Sequence, residues 1–525
     1  MGVSLRTITS DELKQRLRSS AEHAILDVRR EGDFAKGHLF FASNIPRSHL
    51  ELRIEQLVPR RTTPITLVAK SSADAADAAK VLSEFGYEDV ATLASGLDGW
   101  MAKGGQLFSG INVPSKAFGE FVEHAAKTPH IGPEALKHLL DGREKVVVFD
   151  ARPFAEYQLM SIPGAINCPG GELVSRIADN LPSSDSVVVV NCAGRTRSIM
   201  GAQSLIDAGI PQRVLALRDG TMGWQLAGYD LEHAQTRRAR RALPAGLDET
   251  RARVSDLARK AGVRFIDSAD VTVMKASDSH TTYVFDVRDP EEYVEGHRRD
   301  VVSAPGGQLL QTLDTFIAVQ NARILVTDSD ATCAPIIGAW LRQMGRNDVC
   351  CAIDTDRESV DPPAPTPMLQ SILSRARKIS AHDASERTKS KAAVVADLAN
   401  SKEYRRGHIP QAQFSERDQL RDLLSQPVIL TSPDGQLAAV AAAELATLDQ
   451  RVCALDGGTS SWKDAGYPLE DGKGNLPDAP DDVFYRPYDR TDDRDRAMRA
   501  YLDWEKDLLA RLDQEPGVSF WRVEP

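Results

Sequence analysis

Short apolar runs ending in a polar or acidic residue punctuate this chain at long intervals, and stretches with helical spacing of Ala and Leu lie between them. Ile25-Leu-Asp27, Val148-Phe-Asp150, Val284-Phe-Asp286 and Val394-Val-Ala-Asp397 form one set. Ile65–Ala69, Val187–Asn191, Ile324–Thr327 and Val428–Thr431 form a second. Continuous β-branched runs without alternation mark strands buried on both faces. Strands alternating with helices predict a parallel sheet covered on both sides. The aspartates recur more than a hundred residues apart, which is the period of a small domain rather than of a solenoid repeat. The pattern predicts an α/β chain of four tandem units, each a small parallel sheet flanked by helices, over 1–115, 128–232, 263–360 and 375–470. A tail with an amphipathic helix follows over 471–525.

The joints are read from composition. The charged pattern Glu249–Lys260 predicts a connecting helix, and Pro362–Pro367 a Pro-rich linker. The run Thr236–Arg241 (TRRARR) reads as a solvated helix face between units, with a phosphate-binding patch as the alternative. In the tail, Met498, Tyr501, Leu502, Leu508, Leu509 and Leu512 make one apolar stripe. It is expected to pack on a neighbouring unit, a dimer contact or a lid being the other readings.

Val187–Ser198, VVVVNCAGRTRS, carries the chemistry. A buried strand delivers Cys192 to a loop of small and basic residues, and a helical pattern starts at Ser198. Such a loop can curl so that several N–H groups point inward, making an anion-binding nest, and the helix adds the positive end of its dipole. A cysteine there is expected to be a thiolate and a nucleophile. Arg195 and Arg197 add charge and bidentate donors for an oxyanion. Arg195, in mid-loop, is expected to reach the charged end of a substrate, and Arg197 either to face the anion or to be tied to the scaffold.

Net charge of −11 argues against a general nucleic-acid binder. No apolar run is long enough to cross a bilayer, and the start lacks the apolar segment of a signal peptide, so a cytoplasmic protein without a membrane partner is expected. Six cysteines, two of them adjacent and none in a C-x-x-C pair, support neither a disulfide framework nor a metal site, and no cofactor is expected.

The Cys192-Ala-Gly-Arg-Thr-Arg197-Ser198 loop resembles the active-site loop of the rhodanese family of sulfurtransferases. Gly220-Thr-Met-Gly-Trp224, Asp150-Ala-Arg152 and Pro163-Gly-Ala-Ile-Asn167 resemble further segments of that family. The resemblance implies a thiosulfate sulfurtransferase-like enzyme in which Cys192 carries a persulfide. Sulfane sulfur would move from a small anionic donor, thiosulfate or a persulfide, to a thiol or cyanide acceptor. Catalysis would be confined to unit two, with Ala193, Gly194, Arg195, Thr196, Arg197 and Ser198 binding substrate. The cysteine position falls on Ala69 or Lys70 in unit one, on Asp328 in unit three and on Ser432 in unit four, so these three units are degenerate. The alternatives are a non-catalytic persulfide- or oxyanion-binding scaffold or sensor, and a Cys-dependent phosphatase, against which Cys-x4-Arg is one residue short of the phosphatase loop. Cys168 is a candidate resolving thiol, with a core-facing residue as the plainer reading. His38, His297 and His408, and Trp100, Trp224 and Trp462, recur across units and are expected to serve turns and packing. Unit one is expected to pair with unit two and unit three with unit four, with the tail helix bridging units.

Overall fold

Val187–Asn191 is buried at all five positions and lies between Val214–Leu217 and Val146–Asp150, all parallel. Both faces of this strand are covered by helices, which is why its sequence shows no alternation. The sheet of unit two continues to Ile166–Asn167 on one side and to His130–Ile131 on the other. Counted along the unit, the strand order is first, fifth, fourth, second, third, and the sheets of units one, three and four repeat it. The computed structural model describes residues 6–142, 144–243, 246–299, 301–353, 360–361, 364–446, 448–490 and 492–524. The end of unit three at 354–359 and Pro362 and Pro363 of the expected linker lie outside the described residues.

The recurring elements do the same work in each unit. Arg152 clasps Asp150 at 2.6 Å and donates to Met160 O, as Arg29 does with Asp27 and Gly37 O, and Arg288 with Asp286 and Gly296 O. The indole N–H groups of Trp100, Trp224 and Trp462 each donate at 2.9 Å to a carbonyl six residues on, and the rings are buried. His38, His297 and His408 stack on Phe34, Tyr293 and Tyr404 at 3.8–3.9 Å. These are packing and turn roles, as the repetition predicts.

The pairing of units differs from the expectation. Unit two packs against unit three, and unit one against unit four. Gly170 and Gly171 meet Gly306 and Gly307 so closely that a Cβ on Gly307 would lie 3.1 Å from Gly170 N. Trp340 donates to Ser204 across the same contact, and Arg176 and Arg238 reach Asp289. Between units one and four, Arg417 bridges to Glu51 at 2.8 Å and Arg30 to Glu416 at 2.6 Å. Units one and three also meet, where Val319–Gln320 pairs antiparallel with the His23–Asp27 strand. Units two and three are neighbours in sequence as well, and the glycine pairs permit their close fit, whereas units one and four, the ends of the series, are joined by charge pairs.

TRRARR is not a helix face. The segment is irregular, and Arg238 and Arg241 bind Glu291 and Glu295 of unit three, so the run clamps the interface between units two and three. The connecting helix is present at Leu247–Lys260. The tail threads all four units. Asp482 accepts from Ser401, Phe484 N–H donates to Glu31, Met498 and Leu502 pack on Met222, and Trp521 N–H donates to Gln343 O. Leu508 and Leu512 pack with Phe40 and Phe108 of unit one. The apolar stripe on the Arg494–Asp507 helix thus covers this chain's own units. Among the described residues no helix is long and apolar enough to cross a membrane.

Candidate functional site

Strand register fixes what stands at the cysteine position of each unit. Asp150 pairs with Asn191, so Cys192 follows the paired strand by one residue. The same rule places Ala69 in unit one, Asp328 in unit three and Ser432 in unit four. This resolves the choice between Ala69 and Lys70 in favour of Ala69 and matches the assignment of the other two.

Cys192 leaves the sheet at its carboxyl edge, where parallel α/β sheets place ligands. Its loop runs to the Thr196–Asp207 helix. Thr221 N–H and Oγ donate to Cys192 O at 2.8 and 3.0 Å, and Met222 N–H donates to Ala193 O at 3.0 Å, so the loop rests on the Gly220–Trp224 segment. In unit three the equivalent loop encloses a carboxylate. Asp328 Oδ1 accepts from Ala331 N–H, and Oδ2 from Thr332, Cys333 and Ala334 N–H, at 2.8–2.9 Å. Four N–H donors thus converge on a carboxylate at the cysteine position of unit three, the kind of nest expected of the unit-two loop.

Above the Cys192 loop is a cavity of about 50 Å³. By the same measure one water needs roughly 10–15 Å³, so the space suits a small anion and not a peptide. Cys192, Ala193, Gly194, Arg195, Thr196 and Arg197 line it. Ser198 does not: it is buried, and its Oγ donates to Arg195 O at 2.7 Å, so it closes the helix start instead of binding substrate.

Arg195 departs from the expectation that it reaches the charged end of a substrate. Arg195 is held by Glu120 at 2.6 and 2.8 Å, by Asp219 at 3.1 Å and by Glu123. Three carboxylates, two on the Val113–Ala126 helix, turn its guanidinium into a scaffold tie. Arg197 donates to Glu156 at 2.8 Å and to Gln308 of unit three at 3.0 Å, and it interacts electrostatically with Cys192. Arg197 thus lines the cavity while tied to Glu156 and to unit three.

Much of the wall comes from outside unit two. Lys116 stands on the helix between units one and two, Gln308, Gln311 and Thr312 belong to unit three, and Arg486, Tyr488, Tyr501 and Glu505 to the tail. Lys116 binds Glu505 at 2.9 Å and contacts the Tyr501 hydroxyl. Arg486 donates to Tyr488 at 2.8 Å. Neither Tyr485-Arg-Pro-Tyr488 nor the apolar stripe of the tail points to the Cys192 loop from the sequence. The signal available was two basic and aromatic residues in a segment with no strand of its own.

Cys168 does not line this cavity. It is fully buried, and burial pushes its thiol up to about 12, which fits the core reading and not a resolving thiol. Cys333 donates to Val287 O, and burial raises its thiol well above the ordinary value. Among the described residues no cluster of His, Cys, Asp and Glu has the arrangement of a metal site.

Comparison with known proteins agrees with this geometry. The family model of the Rhodanese-like domain matches residues 9–103, 132–227 and 380–465, which are units one, two and four. The crystal structure of a thiosulfate sulfurtransferase from Pseudomonas aeruginosa is 41% identical and superposes with a TM-score of 0.90 over 99% of this chain and 100% of its own. Bacillus subtilis YrkF, named as a sulfur carrier protein, is 29% identical over 136 residues, 24% of this chain and 72% of its own length. The HTH-type transcriptional regulator Rv0324 of Mycobacterium tuberculosis is 38% identical over 99 residues, 18% of this chain and 42% of the regulator.

Proposed function

This chain belongs to the rhodanese-like family, and on that premise we propose that it is a sulfurtransferase that passes sulfane sulfur through Cys192, with thiosulfate as donor. The Cys192 thiolate attacks the outer sulfur of thiosulfate. A Cys192–sulfur bond forms, the sulfur–sulfur bond of the donor breaks, and sulfite leaves with the electron pair. The product is a Cys192 persulfide anion, a covalent intermediate that a nucleophilic acceptor then discharges.

The observation that carries this reading is the unit-three loop, whose N–H groups close on the Asp328 carboxylate. The unit-two loop has the same place in the fold and carries a sulfur where unit three carries its own anion, which supports the reading that its N–H groups hold an anionic persulfide. Arg197, Arg486 and Lys116 supply the positive field for the incoming dianion. The small cavity favours thiosulfate over a glutathione persulfide, whose peptide exceeds the space. Unit two alone has both the thiol and the loop, so the other units act as walls and supports.

Incubation with thiosulfate should release one equivalent of sulfite and add about 32 Da, one sulfur, to the intact chain, with the adduct mapping to Cys192. Cys192→Ser should abolish both. A wild-type chain that binds thiosulfate yet gains no sulfur would establish the scaffold reading instead.

A further inference from the structure

Two carboxylates border the Cys192 cavity, and only one is fully engaged. Glu156 is occupied by Arg197. Glu505 uses Oε1 to bind Lys116 at 2.9 Å, whereas its Oε2 has no hydrogen-bond donor among the described residues, although the residue is only 2% exposed. That free oxygen lies over the catalytic loop: a Cβ on Gly194 would stand 3.1 Å from it. Its position is fixed by Lys116 on one side and by the packing of Met498 and Leu502, on the same helix, against Met222.

A buried acceptor without a donor is disfavoured, a charged one most of all, so this oxygen is stabilised when a ligand brings it a hydrogen. The sulfur donor brings none, because thiosulfate enters as an anion. The acceptor does, when it is a thiol. We infer that Glu505 is the proton acceptor for a small thiol that collects the sulfur from Cys192, an inference that rests on the persulfide reading above. The thiol gives its proton to Glu505 Oε2, and the resulting thiolate attacks the outer sulfur of the Cys192 persulfide anion. The thiolate–sulfur bond forms, the bond to Cys192 Sγ breaks, and its electron pair returns Cys192 to the thiolate. The product leaves as a persulfide anion and Glu505 releases its proton to water. No oxidant or reductant is consumed. The tail helix thereby contributes a catalytic residue that lies in none of the four repeated units, and the small cavity restricts the acceptor to a low-molecular-weight thiol.

The test is single-turnover discharge of thiosulfate-loaded protein, comparing free cysteine with sulfite. Sulfite reverses loading, and at pH 7 a large part of it is already the proton-free dianion, so its attack does not depend on a base. At pH 7 a thiol of ordinary pKa, about 8.5, is ionised to roughly one part in thirty, so a working base is worth up to about that factor. Glu505→Gln should lower the ratio of thiol to sulfite discharge by about ten- to thirtyfold. Glu505→Asp, which keeps a charge for Lys116 but withdraws the carboxylate by one methylene, should give an intermediate ratio, and it serves as the test variant if the glutamine protein does not fold. An unchanged ratio, with both acceptors equally fast or equally slowed, would overturn the assignment. Wild-type protein that never loads sulfur would remove the persulfide reading itself, and that failure is visible before any variant is made.

Discussion

Replacing Gly220 by alanine should detach the Cys192 loop from its support. Gly220 has φ +56°, and a Cβ there would stand 2.4 Å from Cys192 O and 2.6 Å from Gly194 O. Both contacts are to backbone, so no side chain can swing away, and ordinary contact begins at 3.4 Å. The loop must retreat by about 1 Å, a displacement that can lower a rate by about 10²-fold. The left-handed backbone adds roughly 1–2 kcal/mol for a residue with a Cβ. The three hydrogen bonds that seat Cys192 O and Ala193 O are worth roughly 1 kcal/mol each. The local penalty is then about 4–5 kcal/mol, and loading of Cys192 should slow by about two orders of magnitude. Gly96 is the matched control: it has the same φ of +56° in the equivalent turn of unit one, but a Cβ there meets nothing within 4 Å. Gly96→Ala should carry only the backbone cost and load sulfur normally. Sulfite release measures the rate, and hydrogen exchange of the 192–198 amides reports the loop. A Gly220→Ala protein that loads at the wild-type rate, or a Gly96→Ala protein that is equally impaired, would refute the reasoning.

Arg195→Ala should act on stability, because it leaves Glu120, Glu123 and Asp219 without their cation, a loss of about 3–5 kcal/mol for a broken buried pair. Thermal unfolding checks this, and a selective rise in donor KM at unchanged Tm would return Arg195 to the substrate. Arg486→Ala should instead raise the thiosulfate KM by about tenfold or more, the worth of one charge-assisted hydrogen bond, and change kcat less. Burial raises the Glu156 carboxyl, but Arg197, with Arg486 and Arg152 behind it, outweighs burial and holds it at about 2 against an ordinary 4.5. A folded pKa below the unfolded one gives stability that is present above about pH 4.5 and lost as pH falls toward 2, so Arg197→Met should move the acid-unfolding midpoint to higher pH in a circular-dichroism titration. Asp328→Ala should expose four N–H donors in the unit-three loop and reduce hydrogen-exchange protection at 331–334, by about 3 kcal/mol or more.

The chain's own sequence determined the elements and the nucleophile. Strand runs, the Asp-x-Arg clasp and the strand–Cys192–loop–helix passage are each encoded within about ten residues, through burial on both faces of a strand and through turn chemistry. Repetition then separated what serves the fold in several units, as Trp100, Trp224 and Trp462 do in units one, two and four, from what unit two alone has. Tertiary structure decided which unit faces which and which groups face the sulfur. An apolar stripe says that Met498 and Leu502 are buried but not that Met222 covers them. Likewise an arginine in a small-residue loop announces a cation. Only the approach of the Val113–Ala126 helix, with Glu120 and Glu123, makes Arg195 a structural tie. Lys116, Gln308, Arg486 and Glu505 reach the cavity from a linker, another unit and the tail, because the direction of a side chain is set by what its element packs against, and that partner is distant in sequence.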